Sequence, residues 1–380
     1  MKKTLLLAGI TGLFASMAHA QSNVTLYGLL DAGVTYTSND QKQSGANFRA
    51  TGNQTSGSRF GLAGAEDLGG GLKAIFTLES GFDVFDGTAD NDRLFNRQSW
   101  VGLSSPTWGA VTIGRQYDSV VDYLSPLSLA NIDEKGGGRM FSHPFNNDNL
   151  NASFRINNSF KYASPNWGGF SFGALYGASN DENGMSSNNR AYSIGAKYEN
   201  GPLRLAASYL ALNEPNGAGN SGGAVSNDYA FQADKQQTFG VGGSYAFGPA
   251  TLGFVYTQTT LDSVQNFGAG SGLSTVGSSD MKINNYELNG KYSVTPAWLL
   301  SAAYTFTDAK YRTTTGDQKG NWNQFTIMSD YSLSKRTDVY LAAAYQTAGG
   351  DADRAFIAGG SGYSDSDSQV VVTTGMRHRF

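Results

Sequence analysis

The sequence predicts an all-β protein: a transmembrane antiparallel β-barrel of about sixteen strands with a long third external loop folded into the lumen. Three observations carry this. Apolar and polar residues alternate almost from end to end in segments of roughly ten residues, the length a tilted membrane strand requires. After the first twenty residues no stretch approaches ~18 consecutive apolar residues, so no helix is expected to cross a bilayer. The alternation breaks for long only once, between about Gln116 and Ser153, over an interval too long for an ordinary connection.

The start of the chain stands outside this pattern. Lys2-Lys3, an apolar core from Leu5 to Phe14 and Ala18-His19-Ala20 read as a secretory leader, so residues 1–20 are expected to be cleaved and 21–380 to form one barrel domain. Removing the leader leaves 25 Lys+Arg against 31 Asp+Glu, which argues weakly against nucleic acid or an anionic membrane surface as a partner. With no cysteine, neither a disulfide framework nor a thiolate metal site is available.

Asn23 to Tyr36 opens the series, with Val24, Leu26, Leu30, Ala32 and Val34 on one face and Thr25, Tyr27, Asp31 and Thr35 on the other. Asn39–Asn53 reads as a polar external loop. Arg59 to Ala65 then leads into the tight turn Glu66-Asp67-Leu68-Gly69-Gly70-Gly71, and Leu72 to Phe82 follows with Lys73, Thr77 and Glu79 turned inward. Arg97 to Leu103 and Ala110 to Gln116 are joined through Pro106 and Gly109. Beyond the long interval come Arg155–Ala163, with Ile156, Phe160 and Tyr162 outward, then Phe170–Ala178, Ala191–Glu199 and Leu203–Leu212. Gln237–Phe247 and Ala250–Thr260 flank the two-residue hairpin Gly248-Pro249. Lys282–Tyr292, Trp298–Thr307, Asn323–Tyr331, Val339–Gln346 and Gln369–Phe380 complete the count. Short turns alternate with long connections such as Asn213–Asp234, Asp262–Met281 and Gly349–Ser368, as in barrels with short periplasmic turns and long external loops. Tyr27, Tyr162, Tyr198, Tyr245, Tyr292, Trp298 and Tyr331 near strand ends suit an interfacial girdle.

The interval 116–153 carries too many apolar residues (Val120, Val121, Tyr123, Leu124, Leu127, Leu129, Ile132, Met140, Phe141, Phe145) for a disordered linker. It is expected to pack inside the barrel and set the width and charge of a pore.

At this point several stretches resemble one family. Val24-Thr25-Leu26-Tyr27-Gly28 with Asp31, Ser58-Arg59-Phe60-Gly61-Leu62, Glu66 through Lys73, Asn96-Arg97-Gln98, Gly114-Arg115-Gln116, Tyr331 through Thr337 and Gly375 through Phe380 are similar, in order and spacing, to the Gram-negative trimeric general porins of the betaproteobacterial and neisserial type. The resemblance implies a homotrimer of sixteen-stranded barrels, each with a water-filled pore narrowed by its third external loop. Implied partners are the chain itself, outer-membrane lipid and lipopolysaccharide, the barrel-assembly machinery, and small hydrophilic solutes and ions, with no nucleic acid. It also implies wall arginines facing the loop, here Arg59, Arg97 and Arg155.

The alternation agrees with that placement. Arg59 alternates against Phe60 and Leu62, Arg97 shares parity with Ser99, and Arg155 with Asn157, Ser159 and Lys161. A charged side chain on the lipid face would cost roughly 2–4 kcal/mol at mid-membrane, so inward placement follows before any role is assigned. Lys73, Lys161 and Arg115 rank as secondary pore-lining residues, Arg115 sharing parity with Val111 and Ile113. Asp118, Asp122, Asp133 and Glu134 are the expected constriction-loop acids, and Phe380 is expected to serve assembly. The function expected is an outer-membrane diffusion channel for ions and small hydrophilic solutes, without a cofactor. A solute-specific channel, a barrel enzyme and an adhesin are the alternatives. His143 and His378 show no metal-ligand spacing or nucleophile–His–acid arrangement, so no enzyme is expected.

Overall fold

The computed structural model describes residues 23–41, 45–90, 93–132, 138–182, 184–185, 187–217, 219–228, 230–264, 279–313 and 316–380. The expected leader lies outside them. Strands β1 (Asn23–Asp40), β2 (Gly45–Gly52), β3 (Arg59–Gly69), β4 (Leu72–Gly81), β5 (Gln98–Ser105) and β6 (Gly109–Gln116) precede the long interval. After it come β7 (Ile156–Ala163), β8 (Phe170–Gly177), β9 (Arg190–Asn200), β10 (Leu203–Asn213), β11 (Lys235–Phe247) and β12 (Ala250–Val264). β13 (Ser279–Thr295), β14 (Trp298–Thr313), β15 (Gly316–Ser332), β16 (Thr337–Gly350) and β17 (Ser368–Arg379) complete the sheet. All pairings are antiparallel between neighbours, and β17 pairs back onto β1 from Leu29↔Arg379 to Thr37↔Val371, which closes the barrel and removes its edges.

Seventeen segments make sixteen barrel strands because β2 and β3 are two halves of one. Both pair with β1, β3 up to Leu29↔Arg59 and β2 from Ala32↔Gly52 onward. Between them residues 53–58 leave the ladder, and Asp31 gathers them: its Oδ2 accepts from Thr55 N at 2.9 Å, Thr55 Oγ1 at 3.1 Å and Ser56 N at 2.8 Å. The sequence reading assigned 45–52 to a loop. Its alternation rests on one large apolar residue, Phe48, which packs on Tyr36 with ring centroids 5.0 Å apart.

The two faces invert the soluble pattern. On β12 to β15 the exposed row holds Leu252, Phe254, Leu288, Tyr292, Leu300, Tyr304, Phe325 and Ile327, while the inner row buries Thr257, Asn285, Glu287, Thr305, Thr307, Gln324 and Thr326. Lipid is the solvent for the first row, and hydrogen-bonding partners inside the barrel satisfy the second. The Gly248-Pro249 hairpin is as expected, with Phe247 paired to Ala250 and Gly248 at φ 59, a conformation glycine adopts without a Cβ clash.

One phase expectation fails. In β7 the ladder with β6 slips from Gly114↔Ser159 to Gln116↔Ile156, and Asn158 takes φ 50. This bulge turns Ile156 inward, where it is fully buried in a cluster with Leu175, Ala191 and Ala224, instead of outward with Phe160.

Candidate functional site

Among its described residues, the interval between β6 and β7 forms short helical turns at Val120–Leu124, Ser125–Leu127, Leu129–Asn131 and Pro144–Asn146. Glycines on the inner rows of β8, β9 and β11 receive it. A β-carbon at Gly173 or Gly195 would overlap Tyr123, and one at Gly240 would overlap Leu124 Cδ2. Ser119 N donates to Ser193 Oγ on β9 at 3.0 Å, fixing the start of the first turn. Val120, Leu124, Leu127 and Leu150 join wall residues Leu210 and Val255 in one buried cluster, so apolar burial holds this half of the segment.

The other half is held by a second buried apolar cluster, in which Leu129, Met140 and Phe141 meet Met328, Tyr340 and Val371, and by a charge cluster. His143 is buried with Nδ1 2.6 Å from Asp148 Oδ2 and Nε2 2.8 Å from Glu287 Oε2 on β13. Burial by itself would lower the His143 pKa, but the two carboxylates outweigh it and raise it to about 10. Burial would likewise raise Asp148, and His143 holds it below the usual carboxylate range. The remaining lone pairs are met. Glu287 accepts from Ser128 Oγ, from Leu129 N at 2.9 Å and from Asn289 Nδ2 at 2.6 Å. Asp148 accepts from Thr257 Oγ1 at 2.6 Å. A buried ion triad with its hydrogen bonds complete is rigid, and removing one member would leave an uncompensated charge.

The arginines meet at Tyr117, the first residue after β6. Its hydroxyl accepts from Arg97 Nη2 at 2.9 Å and from Arg155 Nη2 at 3.0 Å, and the Arg155 guanidinium carbon lies 5.0 Å from the Tyr117 ring centroid. Arg97 Nε also donates to Glu79 Oε1 at 2.7 Å, and Tyr27 Oη donates to Glu79 Oε2 at 2.9 Å. Arg59 is buried at the head of β3, with Nη1 donating to Gly57 O at 2.9 Å. Arg97, Arg139 and Arg155 line a cavity of about 270 Å³ together with Asp90, Asn151 and Phe356. The Arg155 Nε is buried with no hydrogen-bond partner among the described residues.

The alternation argument does not account for two of these directions. Arg97 precedes β5, and Ser99 belongs with Val101 and Leu103 on the exposed row. Arg155 precedes the β7 bulge, so its parity with Ser159 and Lys161 is broken. Both are aimed by Tyr117.

Among the remaining predicted residues, Lys161 Nζ lies 2.5 Å from Asp122 Oδ2 and 3.0 Å from Tyr117 O. Lys73 is exposed near the turn end of β4, opposite Asp67 and Ser104. Arg115 stands on the row of Val111 and Ile113 and is held by Asp228 at 2.7 Å, Asn157 Oδ1 at 2.6 Å and Asn96 O at 2.7 Å. This places it under the β10–β11 connection, where its Nη1 also donates to the Arg155 backbone O at 3.4 Å. Asp118 is fully buried and joins the two ends of the loop, accepting from Val120 N and Asn149 Nδ2; burial raises its pKa to about 6. Asp133 and Glu134 lie outside the described residues. Tyr117, Asp148 and Glu287 were not anticipated, and Glu79 was placed inward without a role at the site. Inner-row parity with Asn285 and Asn289 was the signal that marked Glu287.

Comparison with known proteins agrees with this architecture. A family model described as Gram-negative porin matches residues 4–351. The chain is 33% identical to an outer membrane porin of Bordetella pertussis and 31% identical to outer membrane porin protein 32 of Delftia acidovorans, each over 100% of both chains. Its fold is similar to the solved structure of an anion-selective porin from Comamonas acidovorans, with TM-score 0.72 and 27% identity over 95% of this chain and 100% of that one. A trimer form of OmpT from Vibrio cholerae is similar in fold, with TM-score 0.63 and 17% identity over 94% and 99%. A closed barrel with a lipid-facing apolar row, over a full-length match to outer membrane porins, makes this an integral outer-membrane channel protein, and the chain belongs to the Gram-negative porin family.

Proposed function

We propose that the loop of about 116–153 constricts a water-filled pore and that Arg59, Arg97 and Arg155 bias passive diffusion through it toward anions. The observation that carries this is the shared hydroxyl of Tyr117, which draws Arg97 and Arg155 together beside a cavity that Arg139 also lines. Like charges brought this close need water or counter-ions, and Glu79 supplies one to Arg97 at 2.7 Å. Glu79 and Asp122 supply carboxylates nearby, and Lys161 and Lys73 form a wider basic wall. The mature chain is read as residues 21–380, assembled as a homotrimer in outer-membrane lipid and lipopolysaccharide by the barrel-assembly machinery.

The test is the reversal potential of single channels in a salt gradient. Replacing Arg59, Arg97 and Arg155 by Ser should move it toward cations by more than replacing Lys73, Lys161 and Lys197. The Debye length falls from ~8 Å near physiological salt to ~3 Å at 1 M, so the preference should fade in concentrated salt. Equal shifts from both triples would mean that the arginines are ordinary wall residues.

A second reading, a channel selective for aromatic anions, is favoured by Phe356. It lines the same cavity, stacked on Phe145 at 5.7 Å and tilted against Tyr363 at 4.7 Å. Benzoate current that saturates where acetate current does not, and that Phe356→Ala makes linear, is the outcome expected of it.

A further inference from the structure

Between β2 and β3, residues 53–58 form one side of the cavity that the arginines line, with Asn53 and Gly57 on its wall beside Arg97, Arg139 and Arg155. The stretch Asn53-Gln54-Thr55-Ser56-Gly57-Ser58 has no apolar side chain, yet all of it is buried. Away from a ladder, its backbone N–H groups need acceptors from elsewhere. Asp31 on β1 supplies them. Its Oδ2 takes the N–H groups of Thr55 and Ser56 and the Thr55 hydroxyl, while its Oδ1 accepts from Tyr340 Oη on β16 at 2.6 Å. The Asp31 N donates to Ser58 Oγ at 3.0 Å, and Asn53 Oδ1 closes the turn by accepting from Ser58 N at 2.6 Å. From β17, Arg377 Nη1 donates to Ser56 Oγ at 3.3 Å. Three wall strands thus hold a segment that has no ladder of its own.

The segment in turn carries two arginines. Gln54 O accepts from Arg139 N at 2.9 Å and from Met140 N at 3.1 Å, so the middle of the long loop rests on it. A β-carbon at Gly138 would stand 2.7 Å from Thr55 O, and glycine is what lets the loop backbone lie this close. Arg139 therefore combines an exposed side chain with a held backbone. On the wall side, Gly57 O accepts from Arg59 Nη1 at 2.9 Å. Arg59 and Arg139 come from opposite sides of the constriction, one from the wall and one from the loop, and both lean on the same six residues.

We propose that Asp31 is a positioning residue for ion selection: by gathering residues 53–58 it sets where Arg59 and Arg139 stand about the constriction. Tyr117 aims Arg97 and Arg155, and Asp31 places the other two through backbone that it holds. Asp31 is itself fully buried, so it acts through geometry and not as a charge facing the ions. Tyr340 and Arg377 lie on the last two strands, so the arrangement is complete only once the barrel seam has closed. This rests on the reading of the arginines as the source of anion preference and adds what holds two of them in place.

The experiment compares single-channel reversal potentials in a salt gradient, with the triple Arg59→Ser, Arg97→Ser, Arg155→Ser protein as reference. Asp31→Ala removes the acceptor and should move the potential part of the way to the reference value. Gly138→Val lifts the loop off Thr55 O without touching Asp31, and should move it in the same direction. Asp31→Asn keeps a carbonyl oxygen for the Thr55 and Ser56 N–H groups and can donate to Tyr340 Oη, so it should recover most of the natural value. Adding Arg139→Ser should shift the potential less in Asp31→Ala than in the natural protein, a coupling that a generally loosened barrel would not give. Heat-modifiable migration shows which variants fold, and Gly138→Val decides the matter if Asp31→Ala does not assemble. A natural value in Gly138→Val or in folded Asp31→Ala would overturn the positioning role. Asp31→Asn as impaired as Asp31→Ala would also overturn it, by making the charge the cause. A reference triple that keeps the natural potential would instead sink the reading of the arginines, and this inference with it.

Discussion

His143 and Glu287 are separated by 144 positions in the chain and by 2.8 Å in space. Together with Asp148 they join the long loop to the wall at β13, beside a buried apolar cluster in which Met140 and Phe141 meet Met328, Tyr340 and Ile357.

His143→Gln is therefore expected to loosen the loop while the barrel stays folded. Two buried carboxylates would face each other without a cation, a change worth roughly 3–5 kcal/mol when a buried pair is broken. Single channels should show larger current noise or extra conductance levels. Unaltered, quiet openings would mean that the apolar clusters around Leu124 and Met140 hold the loop by themselves.

The same triad sets a pH window. A histidine whose folded pKa lies above its unfolded value of ~6.5 contributes in full below that value and loses the contribution as pH rises through the folded one. With His143 raised to about 10, the anchor should persist through neutral pH and fail near pH 10. Asp148, held below the usual range, adds a second loss on the acid side, as pH falls through its lowered pKa. Current noise against pH should be flat between these limits in the natural protein and show no alkaline step in His143→Gln.

Tyr117→Phe removes the acceptor shared by Arg97 and Arg155 and keeps the ring beneath Arg155. Both guanidiniums should lose their common aim, so the anion preference should fall, though by less than in the triple arginine variant. A reversal potential equal to that of the natural protein would show that Glu79 alone positions Arg97.

Gly240→Leu fills the notch that Leu124 occupies on the inner row of β11. Overpacking at such a contact costs about 1–3 kcal/mol, and the loop is the part free to move. Higher single-channel conductance from a normally heat-modifiable protein is expected. Lower conductance would mean that the leucine itself obstructs the pore.

Phe380 closes the barrel seam. Its N donates to Gly28 O at 3.1 Å, Gly28 N donates to Phe380 O at 3.0 Å, and its ring lies where a Gly28 side chain would be. Deleting Phe380, or Gly28→Val, should lower the heat-modifiable fraction recovered from outer membranes. Full recovery of both variants would make the seam dispensable for assembly.

What the sequence by itself determined is the barrel. Period-two alternation is local, because each side chain's face follows from its neighbours two residues away, and strands such as Leu203–Asn213 or Ala250–Val264 can be read without knowing their partners. Arg59 was legible for the same reason, lying at the head of a regular strand. Tertiary structure decided whatever depends on a break in that period. The bulge at Asn158 reversed Ile156 and voided the parity argument for Arg155, and the excursion at 53–58 split one strand into β2 and β3. It also decided the contacts of the loop. Tyr117 finds Arg97 and Arg155, and His143 finds Glu287, only after the sheet has closed and residues far apart in the chain share one interior, a long-range juxtaposition that no local pattern encodes.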